Sequence, residues 1–212
     1  MRAHRLFVVV LFAGASGARA QSPEIVLPDR LAPATRAAIL RLVDSARSVG
    51  LPAAPLVNKA AEGVLKGADD QRILRAVQSL ARDLGDARTA LGGTNDLALL
   101  GAAANALHAG VSVDELRRLQ RASANGASAL TSALVTLVDL VAKRVPVSMA
   151  ATSMRDLLDR RAGEQQFATL RAEVDQDIAA GQAPDAALRE RVGSQLRVLD
   201  AVPIDARRPP AP

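Results

Sequence analysis

Lys59, Glu62 and Lys66 stand at steps of three and four, so a helix brings them onto one face as cation, carboxylate and cation. Such a ladder can bind an anionic group, or hold a carboxylate whose pKa the flanking ammonium groups depress. It can equally be a solvated charged face, with Gly63 letting a neighbouring helix close in, and this is the commoner use of the pattern. Asp139 interrupts the apolar run 127–142. It is expected either to pair with Lys143 one turn on or to be buried against an arginine. His108 precedes Gly110 by two residues. It falls in the last turn of an expected helix, where a protonated imidazole would meet the negative end of the helix dipole.

These residues do not add up to a catalytic constellation. Beyond residue 20 the chain has one histidine, and it has no cysteine anywhere, so a zinc site would lack its usual nitrogen and sulfur ligands. Glu173, Asp175 and Asp177 form an acidic patch that helical phase splays apart, with no calcium-loop pattern. His-Glu-x-x-His, Gly-Lys-Ser/Thr and Gly-x-Ser-x-Gly strings are all missing. No metal and no cofactor is expected, and no residue is assigned as catalytic. Carboxylates are plentiful enough for a two-carboxylate hydrolase, but no further feature supports one.

Residues 1–20 set the compartment. Arg2 and Arg5 precede the apolar run 6–13, and Ala18 and Ala20 supply small residues for cleavage, which reads as a secretory signal peptide. The expected product begins at Gln21 and is exported, periplasmic or secreted. Arg2, Arg5 and Arg19 leave with the leader, so the 27 basic residues fall to 24 against 22 acidic ones. Near-neutrality is not a polyanion-binding signature. Phe7 and Phe12 also leave, and Phe167 becomes the only aromatic ring. Nucleic acid is discounted as a partner on both grounds, since single strands are held by stacking on several rings. The lack of cysteine means an oxidising compartment used without disulfides and no lipid-anchored cysteine at the cleavage site.

Stepping along the chain from Pro33, apolar residues recur at helical spacing and no stretch alternates with period two. The fold class is all-α, about nine helices in hairpins, as an irregular bundle or a short α-solenoid-like array. Helices are expected over 33–48, from Pro55 to before Gly67, and from a cap at Asp69 to the Gly92-Gly93 break. A fourth, capped by Thr94, ends at Gly110. A fifth starts at the capping-box pair Ser112 and Glu115 and ends at Gly126. A sixth runs from about Ala127 to Arg144, a seventh is capped by Ser148, an eighth carries Phe167, Leu170, Val174 and Ile178, and a ninth carries Leu188, Val192, Leu196 and Leu199. The sixth, at sixteen residues to Ala142 and with Asp139 inside, is too short and too polar to span a bilayer, which needs ~20 residues. Residues 21–202 are expected to form one helical domain and 203–212 a disordered Pro-rich tail.

The strings Gly50-Leu51-Pro52, Gly110-Val111-Ser112, Arg144-Val145-Pro146 and Gly181-Gln182-Ala183 echo one another, the last three 34 and 37 residues apart. That spacing suits hairpin repeats of a solenoid. It also suits unrelated helices that stop by the same chemistry. Gly50-Leu51-Pro52, Pro55-Leu56, Lys59, Glu62-Gly63, Lys66-Gly67 and Ile73, with an echo at 177–181 and Pro184, resemble a recurrent pattern in uncharacterised exported helical proteins of alanine- and arginine-rich bacteria. The resemblance implies an exported helical fold and no particular activity, and as a family signature it would give the Lys59, Glu62 and Lys66 face more weight. The leading expectation is a non-enzymatic envelope protein whose partner is another protein, with Lys59, Glu62, Lys66, Asp139 and His108 as candidate binding residues. The alternative is a carrier that holds a small apolar or amphipathic ligand between helices, with Phe167 at the cavity wall.

Overall fold

A computed structural model describes residues 27–201 of the chain. The expected leader at 1–20 and tail at 203–212 lie outside the described residues. Within them the chain forms nine helices and no strand: α1 Pro33–Ser48, α2 Ala54–Leu65, α3 Asp70–Ala90, α4 Leu97–His108, α5 Val113–Ala122, α6 Ala127–Ala142, α7 Val147–Asp159, α8 Glu164–Ala179 and α9 Pro184–Ala201.

The helix starts follow from side chains that satisfy the orphan amides of a first turn. Asp69 Oδ1 accepts from the Arg72 amide at 2.8 Å, and Ser112 Oγ accepts from the Glu115 amide at 3.1 Å. The other half of the expected capping box is not formed, because the Glu115 carboxylate turns instead to Arg118 and to Arg155 of α7, each at 2.8 Å. Three expected ends move. Asp96, not Thr94, caps α4: its Oδ1 accepts from the amides of Ala98 and Leu99 at 3.0 Å, while Thr94 Oγ1 accepts from the Asp96 amide itself. Ser148 lies inside α7, whose N-cap is Pro146. Gly126 does not close α5, which stops at Ala122; with φ 85° it opens α6.

The helix stops share one device. After α1, α2, α3, α4, α6, α7 and α8 the chain turns through a left-handed residue, and the next amide reaches back to the last turn, as Leu51 N does to Ala46 O (2.8 Å) and Val111 N to Ala106 O (3.0 Å). Glycine holds the left-handed position after α1, α2, α3, α4 and α8, whereas Arg144 (φ 72°) and Arg161 (φ 62°) hold it after α6 and α7. Their charge beside the negative helix end offsets part of the strain that a side chain incurs there, about 1 kcal/mol or more. This turn accounts for the echo among the four strings seen in the sequence.

The main contacts join helices one or two steps apart in order. The odd helices form one row, α1 on α3, α3 on α5, α5 on α7 and α7 on α9; α4, α6 and α8 form a second row against it. The result is a solenoid-like array of hairpins. Alanine makes this close stacking possible: Ala87, Ala103, Ala106, Ala133 and Ala150 are fully buried between helices, and leucines such as Leu116, Leu134, Leu137 and Leu157 fill the space around them. Phe167 is fully buried in this core. It lines none of the three clefts described below, contrary to its expected place at a ligand cavity wall.

Candidate functional site

The Lys59, Glu62 and Lys66 ladder lines a cleft of about 340 Å³ where α2 turns into α3. α2 supplies Lys59, Glu62 and Gly63, the turn after it supplies Lys66, Gly67 and Ala68, and α3 supplies Arg72, Ile73 and Ala76. Gly63 sets how closely the helices cross: a Cβ there would lie 2.7 Å from Ile73 Cγ1, so only glycine lets α3 press against this turn. Lys59 Nζ donates to Glu62 Oε2 at 3.1 Å, and Lys66 Nζ donates to Glu62 Oε1. Hydrogen bonds from Lys66 and Lys59, reinforced by their charges, hold the Glu62 carboxyl down at about 2. A general acid or base needs a pKa near the working pH, so Glu62 is a fixed anion and not a proton carrier.

Arg72 was not among the residues singled out from the sequence. It sits on the next helix, and no intrahelical spacing relates it to the ladder; only the α2–α3 turn brings it to the same cleft. Its side chain makes no ion pair among the described residues.

Asp139 takes the first of its two expected arrangements, pairing with Lys143, and stays part-exposed rather than buried against an arginine. Lys143 Nζ donates to Asp139 Oδ2 at 2.6 Å, and Arg171 Nε of α8 approaches the same oxygen at 3.7 Å. Lys143 also donates to Asp175 of α8, so two carboxylates and two cations form a balanced cross-link between α6 and α8. Partial burial alone would lower the Lys143 pKa, but the hydrogen bonds and charges of Asp139 and Asp175 outweigh it and raise the value. The acidic patch is dispersed as helical phase requires: Asp175 goes to Lys143, Asp177 pairs with Arg191 of α9 through two hydrogen bonds at 2.6 and 2.7 Å, and Glu173 lines a cleft between α8 and α9. The Arg191 guanidinium holds the Asp177 carboxyl below the usual carboxylate range despite its burial. His108 closes α4, as expected, and its Nδ1 lies 3.3 Å from Asp83 Oδ2 of α3. The ring is 65 % exposed, and no third polar group joins the pair. The five candidates therefore fall into three groups with separate partners.

Comparison with protein-family models, curated proteins and solved structures finds no match for this chain. The geometry alone must carry the functional argument.

Two further clefts are one of about 370 Å³ between α8 and α9, with Gln165, Thr169, Glu173 and Arg191 on its walls, and one of about 340 Å³ where Ser112 and Glu115 face Ser148 and Thr152. All three clefts are rimmed by polar or charged groups. Among the described residues no three His, Asp or Glu side chains are grouped to hold a metal ion, and no helix is long and apolar enough to cross a membrane.

The feature that stands apart is a surface. α4 contains no Asp, Glu, Lys or Arg, and α6 contains only Asp139. The two helices pack side by side. Their exposed positions are Leu97, Ala98, Asn105 and His108 on α4 and Ala127, Ser128, Val135 and Ala142 on α6, with Leu97 65 % and Val135 42 % exposed. The neighbouring α5 exposes Asp114, Arg117, Arg118 and Arg121 instead. Apolar residues stand nearly all round α6, so helical phase marks no outward side and this face is not legible from the sequence.

Proposed function

We propose that the protein is a non-enzymatic, exported interaction module of the cell envelope, and that it docks another protein on the outward face of α4 and α6. The observation that carries this reading is the exposed surface of two adjacent helices that hold one Asp, Glu, Lys or Arg between them, in a chain whose other described helices each carry both acidic and basic side chains. Charge depletion with exposed apolar side chains is the compositional mark of an interface core. A solvated face has no such need, as α5 illustrates.

The charged groups support the non-enzymatic half of the reading. Glu62 is locked as a carboxylate, Asp139 and Asp175 are neutralised by Lys143 and Arg171, and His108 has one partner and no nucleophile beside it. A carrier for a wholly apolar ligand draws less support, because the clefts lined by Lys59, Glu173 and Glu115 have polar rims and Phe167 is in the core.

Native mass spectrometry of the protein isolated from its own envelope tests the proposal. The expected result is a bound protein mass on the wild type and on Arg117→Ala, lost from Val135→Asp. Retention of the same mass by Val135→Asp, absence of any bound protein, or a turnover abolished by Glu62→Gln or Asp139→Asn would each overturn it.

A further inference from the structure

Away from the α4–α6 face, the cleft at the α2–α3 turn has the makings of a ligand site of its own. Three cations line it, Lys59, Lys66 and Arg72, against one carboxylate, Glu62. Asp69 and Asp70 stand nearby in sequence but point elsewhere, Asp69 to the Arg72 amide and Asp70 to the Ala32 amide at 2.8 Å. With Glu62 ionised, the lining carries two net positive charges.

The donors are arranged to share one ligand. Glu62 takes one hydrogen bond from each ammonium, on opposite oxygens, which fixes both lysine heads at the cleft while leaving each with further N–H groups to donate. Arg72 adds a planar guanidinium with no ion pair among the described residues. A guanidinium fork suits bidentate contact with phosphate oxygens, and lysines serve as point charges beside it. The rest of the lining is uncharged, with Ala68 and Ala76 part-exposed beside the buried Ile73.

We propose that this cleft binds a phosphate monoester, its phosphate held by Arg72, Lys59 and Lys66 and its organic group resting on Ala68 and Ala76. The charge of such a group near neutral pH, about −1.5 to −2, matches the lining. Glu62 acts as the positioning residue for the two ammonium groups. The same chemistry is presented by a small soluble phosphate ester and by a phosphatidic acid headgroup.

The test is calorimetric titration of the purified protein with phenyl phosphate and with inorganic phosphate, at low and at high salt. Saturable binding is expected, tighter for phenyl phosphate, weakened by salt, and weakened about tenfold by Arg72→Ala, the loss of one charge-assisted contact. Arg72 is exposed and unpaired, so its variant keeps the fold. Lys66→Gln is the second variant and is expected to weaken binding in the same way, while Arg121→Ala on α5 leaves it unchanged. Flotation with phosphatidylcholine vesicles, with and without phosphatidic acid, then separates the sources: capture only with phosphatidic acid, competed by phenyl phosphate, assigns the site to a lipid headgroup, and lack of capture assigns it to a soluble ester. No saturable binding of phenyl phosphate, or binding indifferent to both Arg72→Ala and Lys66→Gln, would overturn the proposal. Neither result bears on docking at Val135, which these variants do not touch.

Discussion

At Glu62 two ammonium groups share one carboxylate, and that geometry fixes the sign of a pH effect. Its pKa falls from an ordinary 4.5 to about 2 in the folded chain, so the stability it contributes is present above pH 4.5 and is lost as the pH drops towards 2. Thermal melts of wild type and Glu62→Gln should therefore differ at neutral pH and converge as the pH falls to about 2; a difference that persists there would contradict the carboxylate clamp. Gly63 offers a second test at the same turn. Gly63→Ala gains helix propensity, about 1 kcal/mol, but drives a methyl into Ile73, and overpacking costs about 1–3 kcal/mol. A net loss of up to about 2 kcal/mol is expected in denaturant unfolding. Gly85→Ala in α3 and Gly101→Ala in α4 meet open space, and each should instead gain about 0.4–1 kcal/mol. The three variants make the same chemical change, so a common sign would refute the close crossing of α2 and α3.

The helices themselves were largely legible because their starts and stops are written in short-range chemistry. α1 is found over the expected residues, and the glycines after α1, α2, α4 and α8 stop their helices as read. The expected cap of α4 at Thr94 missed by two residues. Asp96 caps the helix because it directly precedes Leu97 and its carboxylate reaches two amides. Asp96→Ala should cost about 1 kcal/mol by equilibrium unfolding. Thr94→Ala, which removes only an acceptor for the Asp96 amide, should cost less; the reverse order would contradict the observed cap. Partner choice across helices was not legible at all. Nothing local tells Glu115 to leave its own cap for Arg155, or brings Arg72 to the Lys59 ladder, since both depend on how hairpins stack. The three site groups were thus visible as fragments: the ladder without Arg72, Asp139 without Asp175, and His108 without Asp83.

For the molecule as a whole, two rows of helices in register leave long lateral surfaces, and the chemistry of those surfaces is uneven. Charged pairs such as Arg117–Asp114 and Arg118–Glu115 cover α5, Lys143 and Asp175 bridge α6 to α8, and the outward side of α4 and α6 has almost no charge. Packing of α4 against α6 puts exposed apolar residues on neighbouring helices, a surface that needs no pocket to receive a partner. The proposed docking requires Val135 to be covered by another protein. Site-specific photo-crosslinking in intact cells, with the reactive residue placed at Val135 on α6 or at Arg121 on α5, tests this most directly. The account predicts a discrete crosslinked protein from Val135 and none from Arg121. No product from Val135, or the same product from both positions, would contradict it.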